Sequence, residues 1–251
     1  MSEPAELAPD GAPLFLVDEL PPGDTVLVTG HEARHAVDVL RLTAGERVRV
    51  ADGAGTVVAG VVAAAGTEGL QVEVLSRHEV PVPEPELVLV QALPKGDRGP
   101  LAVELATELG VDRIVPWTAS RCVTRWRDDR VDKGLAKWRS AARAASKQAR
   151  RPRVPEVTEP MSTREVCGLL GDTDLALVLH EQARRPFAAV DLPAEGVVAV
   201  VVGPEGGITD GEAVAFRAAG AVVVRLGEEV LRTSTAGPAA LAALSARTRW
   251  T

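Results

Sequence analysis

The chain has 251 residues, a formal net charge of -7 and 46% hydrophobic residues, enough for one or two buried cores. No apolar run reaches the roughly eighteen residues of a membrane span, and the first residues, MSEPAELAPDGAP, are acidic and proline-rich. We therefore expect a cytoplasmic protein without a membrane anchor. The two cysteines lack CxxC or metal-ligand spacing, so that neither a disulfide framework nor a bound metal is expected.

The amino-terminal part predicts a disordered tail over residues 1–12 and a small β-barrel over residues 13–78. The tail has too few apolar residues to offset the entropy of ordering. Short β-rich runs between glycine turns predict the barrel strands, at residues 14–17, 26–28, 47–51, 56–62 and 70–75. Between them, HEARHAVDVLRL predicts a helix whose inner face is Ala33, Ala36, Val37 and Leu40.

The segment EVPVPEPE, residues 79–86, predicts a stiff linker because it holds three prolines and three glutamates. Beyond it the hydrophobic period changes. A strand over residues 87–93, a loop with Lys95 and Arg98, a helix over residues 101–109 and a strand over residues 111–116 predict a β-loop-α-β unit. Residues 87–251 are therefore predicted to be an α/β domain.

Residues 121–153 are strongly basic, with twelve Lys or Arg against three Asp, a local charge of +9 that leaves -16 for the rest of the chain. So uneven a distribution favours a surface that binds the backbone of a polyanion, although a solvated helix face is the alternative. Trp126 and Trp138 can stack on bases or anchor the segment to the core.

The last fifty residues carry the most informative pattern. Residues 197–202 predict a buried strand that ends at Gly203-Pro204-Glu205-Gly206-Gly207, and Thr209 or Asp210 can cap the next helix. A second strand over residues 221–225 ends at Leu226-Gly227, and a polar loop over residues 231–235 opens the last helix. Another strand, over residues 174–179, ends at His180-Glu181. Because ligands bind at the carboxyl ends of strands in open α/β sheets, these loops predict a ligand site, although a glycine-rich turn alone can be plain turn chemistry.

GPEGG, LG and LRTxTA in this order resemble the carboxyl-terminal signature of the SPOUT methyltransferases, specifically the RsmE type that methylates N3 of a uridine in 16S ribosomal RNA. ALPKGDR, ATELGVDRIVP and H-x3-VLR also resemble that family. The resemblance implies a PUA-like RNA-binding β-barrel, a SPOUT α/β domain with a trefoil knot, a homodimer, and S-adenosylmethionine as the cofactor. This chain departs from the family pattern at two positions. Ala144 stands where the family has the Glu of EAAxQ, and Ser234 stands where it has Glu in LRTETA.

The resemblance also implies which residues form the sites. The cofactor is expected to contact Leu179, His180, Gly203, Pro204, Glu205, Gly206, Gly207, Leu226, Gly227, Val230, Leu231, Arg232, Thr233, Ser234 and Thr235. A side chain at Gly206 is expected to block it. The RNA is expected to contact Arg34, His35, Arg41, Lys95, Arg98, Arg121, Arg143, Gln148, Arg150 and Arg151. On structural grounds alone, His35 is expected to be a surface histidine or a core histidine whose ring nitrogens are hydrogen-bonded.

Methylation of uracil N3 requires an unpaired base and loss of the N3 proton. Arg232 is the leading catalytic candidate because its guanidinium can stabilise the uracil anion. Glu205, His180 and Glu181 are the candidate proton acceptors, and Glu205 can instead cap the following helix. Two other functions stay open: methylation of another RNA by a SPOUT enzyme, and a non-catalytic RNA-binding assembly factor.

Overall fold

The computed structural model describes residues 11–250, which form two compact units. One unit is the described chain up to Pro81 together with Ser146–Val154, and the other is Val82–Ala145 together with the described chain from Pro155 onward. Most of the predicted tail lies outside the described residues. Ala12, at its predicted end, is buried against Ala59.

The first unit is a curled sheet of five strands in the order β1-β3-β4-β5-β2, antiparallel except for the β1 and β3 pair. Its core contains Phe15, Val50 and Leu70, all fully buried. At the β3–β4 turn, the Asp52 carboxylate accepts the N–H groups of Ala54, Gly55 and Thr56 at 2.7, 3.0 and 3.1 Å. The strands are β1 (Leu14–Leu16), β2 (Thr25–Val28), β3 (Arg47–Ala51), β4 (Thr56–Gly66) and β5 (Gly69–Glu79).

The predicted helix in this unit is a short α-helix, α1 (Gly30–Arg34), that continues as a π-helical turn, His35–Val39. Ala33 and Ala36 are buried as expected, but Leu40 is 41% exposed. The prediction for Leu40 was wrong because the π turn, closed by the Leu40 N–H to the His35 carbonyl, adds a residue to the turn and rotates the residues after it. Leu42 enters the core instead.

Residues Ser146–Val154 pack with the first unit, which the sequence pattern did not indicate. Lys147 Nζ pairs with the Glu32 carboxylate at 2.9 Å, and Arg153 Nε donates to the Val80 carbonyl at 2.6 Å. The Val154 N–H donates to the Gly53 carbonyl at 2.9 Å. Several cations of the basic segment therefore have structural partners.

The second unit is a parallel sheet with helices, as the α/β prediction requires. The strand order is β11-β13-β10-β12-β6-β7-β8, and β9 pairs with β7. Its strands are β6 (Glu86–Ala92), β7 (Arg113–Thr118), β8 (Glu156–Val157), β9 (Met161–Ser162), β10 (Leu175–Leu179), β11 (Arg185–Pro186), β12 (Val197–Val202) and β13 (Val222–Arg225). Its helices are α2 (Arg98–Glu108), α3 (Asp129–Gln148), α4 (Thr163–Gly171), α5 (Asp210–Ala218) and α6 (Thr233–Thr248), and the last three residues of α3 belong to the first unit. The sequence pattern identified neither α4 nor the two-residue strands β8, β9 and β11.

The central strands β6, β10 and β12 are buried on both faces, as their continuous apolar runs predict. Helix α6 packs on this sheet through Gly237, where an added Cβ would lie 2.9 Å from the Leu89 side chain. Among residues 11–250, no helix has the length and apolar character to cross a membrane, and no cluster of His, Cys, Asp and Glu is suited to a metal.

Candidate active site

Three loops at one edge of the parallel sheet enclose a cavity of about 600 Å³. They come after β12, β13 and β10, and the first turn of α6 completes the wall. Parallel strands bring their carboxyl ends to the same edge, so the chain order of the motifs places them together. The lining includes the apolar side chains of Leu179, Val202, Ile208 and Leu226 beside charged and backbone groups.

All the predicted cofactor-contacting residues line this cavity except Ser234 and Thr235. Ser234 is buried within α6, and Thr235 faces solvent on the same helix. The helix begins at Thr233, so only its first residues reach the loop. Seven lining residues outside the predicted cofactor-contacting set have charged or amide side chains: Arg98, Arg121, Glu181, Gln182, Asp210, Arg225 and Glu229.

A buried hydrogen-bond chain fixes the glycine loop to the last helix. Gln91, fully buried at the end of β6, donates through Nε2 to the Thr233 hydroxyl at 2.9 Å. That hydroxyl donates to the Gly203 carbonyl at 2.8 Å. Sequence reasoning missed Gln91, although a single amide in the run ELVLVQA is a signal because buried polar groups need partners.

The Glu205 carboxylate links the glycine loop to the loop after β6. It accepts the Lys95 N–H at 3.1 Å and lies 3.5 Å from the Arg98 guanidinium. The alternative in which Glu205 caps α5 is wrong, because Thr209 caps that helix. With two donors already bound, Glu205 is suited to holding the two loops together.

Helix α5 begins with a capping box that also holds the segment after β7. The Thr209 hydroxyl and the Glu212 N–H are 3.2 Å apart, and the Glu212 carboxylate accepts the Thr209 N–H at 2.9 Å and the Ser120 N–H at 2.8 Å. Burial raises the pKa of Glu212, but these hydrogen bonds outweigh it and lower the pKa below its ordinary value.

Gly206 does not open toward the cavity as expected. A Cβ there would lie 3.0 Å from the Arg121 Cβ and 3.3 Å from the Arg121 carbonyl oxygen. Arg121 also donates to the Gly206 carbonyl at 3.0 Å. A larger residue at Gly206 would therefore displace the Arg121 segment. Gly227 is more open than Gly206, since its added Cβ meets only the Glu229 carboxylate, at 3.4 Å.

Arg232 is exposed on the cavity wall, immediately before α6. Within residues 11–250 its guanidinium has no hydrogen-bond or ion-pair partner, so it can bind an anion that enters the cavity. In the loop after β10, His180 Nδ1 accepts the Gln182 N–H at 3.1 Å, which leaves the proton of a neutral ring on Nε2. The Glu181 carboxylate is half exposed and lies 3.8 Å from His180 Nδ1.

The predicted RNA-contacting residues belong to both units. Arg34, His35, Arg41, Gln148, Arg150 and Arg151 are in the first, and Lys95, Arg98, Arg121 and Arg143 are in the second. Arg98 and Arg121 line the cavity. Arg143 and Arg151 have interaction partners in the protein, so neither is a free cation.

The two cysteines are free thiols, and Cys122 is buried. Burial raises the pKa of Cys122 and of Cys167, which keeps both protonated at neutral pH. Neither lines the cavity.

Known families match both units. The RNA methyltransferase domain matches residues 82–245, and the RNA methyltransferase PUA domain matches residues 28–75. The ribosomal RNA small subunit methyltransferase E of Mycobacterium bovis is 45% identical over 245 residues, which cover 95% of this chain and 94% of the relative. The chain belongs to the ribosomal RNA small subunit methyltransferase E family. The enzyme of the same name from Bacillus subtilis is 28% identical over 92% of this chain and 93% of its own length.

Solved structures of this family share the fold. The Neisseria gonorrhoeae ribosomal RNA small subunit methyltransferase E, solved with S-adenosylmethionine bound, has a TM-score of 0.82 and 29% identity, over 94% of this chain and 98% of its own. A Legionella pneumophila methyltransferase solved with the same cofactor has a TM-score of 0.81 and 27% identity, over 94% and 98%. These matches confirm the predicted SPOUT fold with its amino-terminal PUA-like domain.

Proposed function

We propose that this protein transfers a methyl group from S-adenosylmethionine to small-subunit ribosomal RNA, at N3 of one uridine in 16S ribosomal RNA. The observation that carries this proposal is the 600 Å³ cavity, because the three motif loops that resemble the family line it together. The family membership and the cofactor-bound relatives support the same reaction.

The cavity suits this cofactor by its chemistry. Its volume falls within the roughly 300–1,000 Å³ of small-molecule sites. Leu179, Val202 and Leu226 offer apolar surface for an adenine ring, and the open position at Gly227 leaves room beside the backbone. Asp210 and Glu229 supply carboxylates for hydroxyl and cationic groups. When bound, S-adenosylmethionine would supply an electrophilic methyl group, whose carbon bonds to the nucleophile in line as the S–CH3 bond breaks and S-adenosylhomocysteine leaves.

Within this proposal, Arg232 stabilises the base. Uracil N3 becomes a nucleophile when it loses its proton, and negative charge then develops on O2 and O4. The unpaired guanidinium of Arg232 can donate two hydrogen bonds to that charge without first breaking an ion pair within residues 11–250. The Gln91, Thr233 and Gly203 chain holds the turn on which Arg232 sits against the glycine loop.

We assign the proton acceptor to Glu181 among the three candidates. Glu205 is bound by Arg98 and Lys95, and His180 already accepts a backbone N–H through Nδ1. Glu181 lines the cavity and has the less restrained carboxylate. Glu205 is proposed to act by positioning the loops.

We further propose that the protein is a cytoplasmic homodimer and that the predicted cations of both units contact RNA. Val230 is 79% exposed and Leu231 37% exposed at the rim of the cavity, where a second copy would cover them. Sedimentation of the purified protein tests the dimer: a monomer at micromolar concentration contradicts it.

Incubation of the purified protein with S-adenosylmethionine carrying a radiolabelled methyl group tests the reaction. The acceptors are isolated small subunits and deproteinised small-subunit RNA. We expect label in the RNA. Cofactor binding by calorimetry without methyl transfer to either acceptor would favour another RNA target, and absence of cofactor binding would favour an assembly factor.

A further inference from the structure

A second cavity, of about 430 Å³, lies in the carboxyl-terminal unit outside the candidate active site. Its walls are the loop and first turn after β6, the segment before α3, and the first half of α3. We propose that it binds one nucleotide of the RNA substrate that flanks the methylated one. This inference rests on the proposed function and adds a substrate subsite to it.

Two tryptophans form the aromatic part of this cavity. Trp138 is 2% exposed, and a Cβ on Gly99 would lie 2.6 Å from its Nε1. Trp126 is partly exposed and rests on Gly134, where a Cβ would lie 2.4 Å from the ring. The rings meet edge to face with centroids 5.2 Å apart. The two glycines let the rings sit against the helices, so both aromatic side chains are held in place.

Polar groups without partners line the same cavity. The Trp138 indole N–H, in a side chain that is almost fully buried, makes no hydrogen bond within residues 11–250. Within residues 11–250, the side chains of Arg130 and Lys137 likewise have no ion-pair or hydrogen-bond partner. Lys133, by contrast, pairs with Asp129 at 2.7 Å. The cavity therefore has two cations and the Trp138 indole N–H available for a ligand.

The net positive charge of the residues that line the second cavity favours an anionic ligand. Arg125, Arg130, Lys133 and Lys137 line it against a single lining carboxylate, Asp97. Asp97 precedes α2, which has no side-chain cap hydrogen bond and no acidic residue in its first turn. The partial positive charge at the start of α2 thus adds to that of the cations. Cations beside exposed aromatic surface are the combination that binds a phosphate and a stacked base of single-stranded RNA.

The cavity also adjoins the candidate active site through one loop. Gly96 and Asp97 line the second cavity, while Arg98 lines the first and pairs with Glu205. A strand of RNA with one nucleotide in each cavity would run along this loop. This arrangement favours a flanking nucleotide over an unrelated small anion.

The test compares Arg130→Ala/Lys137→Ala with the matched control Arg164→Ala/Arg217→Ala, which removes two exposed cations from helices α4 and α5, outside the cavity. Steady-state methyl transfer to deproteinised small-subunit RNA is measured over a range of KCl concentrations. We expect KM for RNA to rise roughly tenfold to a hundredfold for the first pair, with kcat and cofactor affinity within twofold. The slope of log affinity against log salt should become shallower by about 0.7 to 0.9, the contribution of one phosphate contact, since one nucleotide brings one phosphate.

An aromatic variant tests base stacking separately. Trp126→Leu, once its thermal melt shows that it folds, should raise KM for RNA by about tenfold or more, as loss of a stacked base does. Trp126→Phe keeps a ring and should recover part of the affinity. If Trp126→Leu does not fold, Trp126→Phe and the Arg130→Ala/Lys137→Ala double variant remain the test.

An equal rise in KM for RNA in the two double variants would overturn the subsite proposal. The effect would then come from the loss of positive charge anywhere on the surface. An effect on assembled subunits but none on deproteinised RNA would also overturn it and assign the cavity to a ribosomal protein. If the wild type transfers no methyl group, the proposed function fails on its own. Filter binding of the same RNA to the same variants still decides the subsite.

Discussion

In the proposed mechanism, Arg232 has the most direct role of any single side chain. Its guanidinium faces the cavity without a protein partner within residues 11–250. Its side chain makes no cap hydrogen bond to α6, so its removal leaves the helix start intact. Charge stabilisation in the transition state, unlike substrate binding, changes the rate of the chemical step.

Arg232→Ala should therefore fold and bind cofactor within a few-fold of the wild type, but lose about a hundredfold to a thousandfold in single-turnover rate, roughly 3–4 kcal/mol. Arg232→Lys should recover only part, since an ammonium lacks the planar fork. Arg217→Ala, an exposed cation on α5, is the control and should keep the full rate. A variant with normal rate and lost cofactor affinity would move Arg232 from catalysis to binding.

Gly227 gives the sharper test of the cofactor site than Gly206. Its backbone φ lies outside the left-handed region and its added Cβ faces open space apart from Glu229. Gly227→Val should change the free energy of unfolding by less than about 0.5 kcal/mol, as surface substitutions do. It should lower S-adenosylmethionine affinity at least tenfold by calorimetry.

Gly211→Val is the matched control, because Gly211 on α5 also has open space around it and does not line the cavity. Its cofactor affinity should equal that of the wild type. Unchanged affinity in Gly227→Val would mean that the cofactor does not lie against the loop after β13.

At the scale of elements, the start of α5 gives a prediction about pH. The Glu212 carboxylate is buried and accepts hydrogen bonds from Ser120 and Thr209, which lower its pKa below the ordinary 4.5. A lowered pKa in the folded state contributes stability above the unfolded value, and this contribution is lost as the pH falls through the folded value.

Glu212→Gln should therefore cost about 1–3 kcal/mol of unfolding free energy at pH 7, with a smaller difference from wild type below pH 4.5. Urea denaturation at both pH values measures it. Helix α4 supplies the control, because Ser162 and Glu165 form the same capping box on an exposed surface. Glu165→Gln should have a much smaller effect. An equal cost of Glu212→Gln at both pH values would show that the charge of Glu212 is not the cause.

At the scale of the whole molecule, Arg249 anchors the end of α6 to the beginning of the second unit. Its guanidinium pairs with Asp112 and donates to the carbonyl oxygens of Pro83, Pro85 and Gly110. Both charged side chains are only 9% exposed. Removing one partner of a buried pair leaves the other charge without compensation.

Arg249→Ala should lower the free energy of unfolding by about 3–5 kcal/mol, measured by urea denaturation. Arg217→Ala should change it by less than about 0.5 kcal/mol. A loss of under about 1 kcal/mol in Arg249→Ala would contradict the anchoring role.

The sequence predicted the parts of the fold that rest on local chemistry. The apolar run over residues 197–202 is β12, Thr209 is the cap of α5, and the glycine loops meet at one sheet edge. The family motifs led to most of the residues that line the cavity. These features depend on strand burial, capping and the geometry of parallel sheets, which short stretches of sequence encode.

The missed features depend on contacts between distant residues or on very short elements. Strands of two residues, such as β8 and β11, are too short to show a period. Helix α4 had a usable signal in Ser162 and Glu165, the capping box that precedes its apolar face. The packing of residues 146–154 on the first unit has no local signature, because their arginines also fit a solvated surface. The π turn after α1 changed the side on which Leu40 lies.

The identity of the methylated atom is the most direct measure of the proposed chemistry. Small-subunit RNA is methylated by the wild-type protein with S-adenosylmethionine, digested to nucleosides, and analysed by mass spectrometry against synthetic standards, with Arg232→Ala in parallel. We predict 3-methyluridine as the single new nucleoside, at one position of the RNA, and almost none from the variant. A methyl group on another base, on another atom of uridine, or in equal amount from Arg232→Ala would contradict the account.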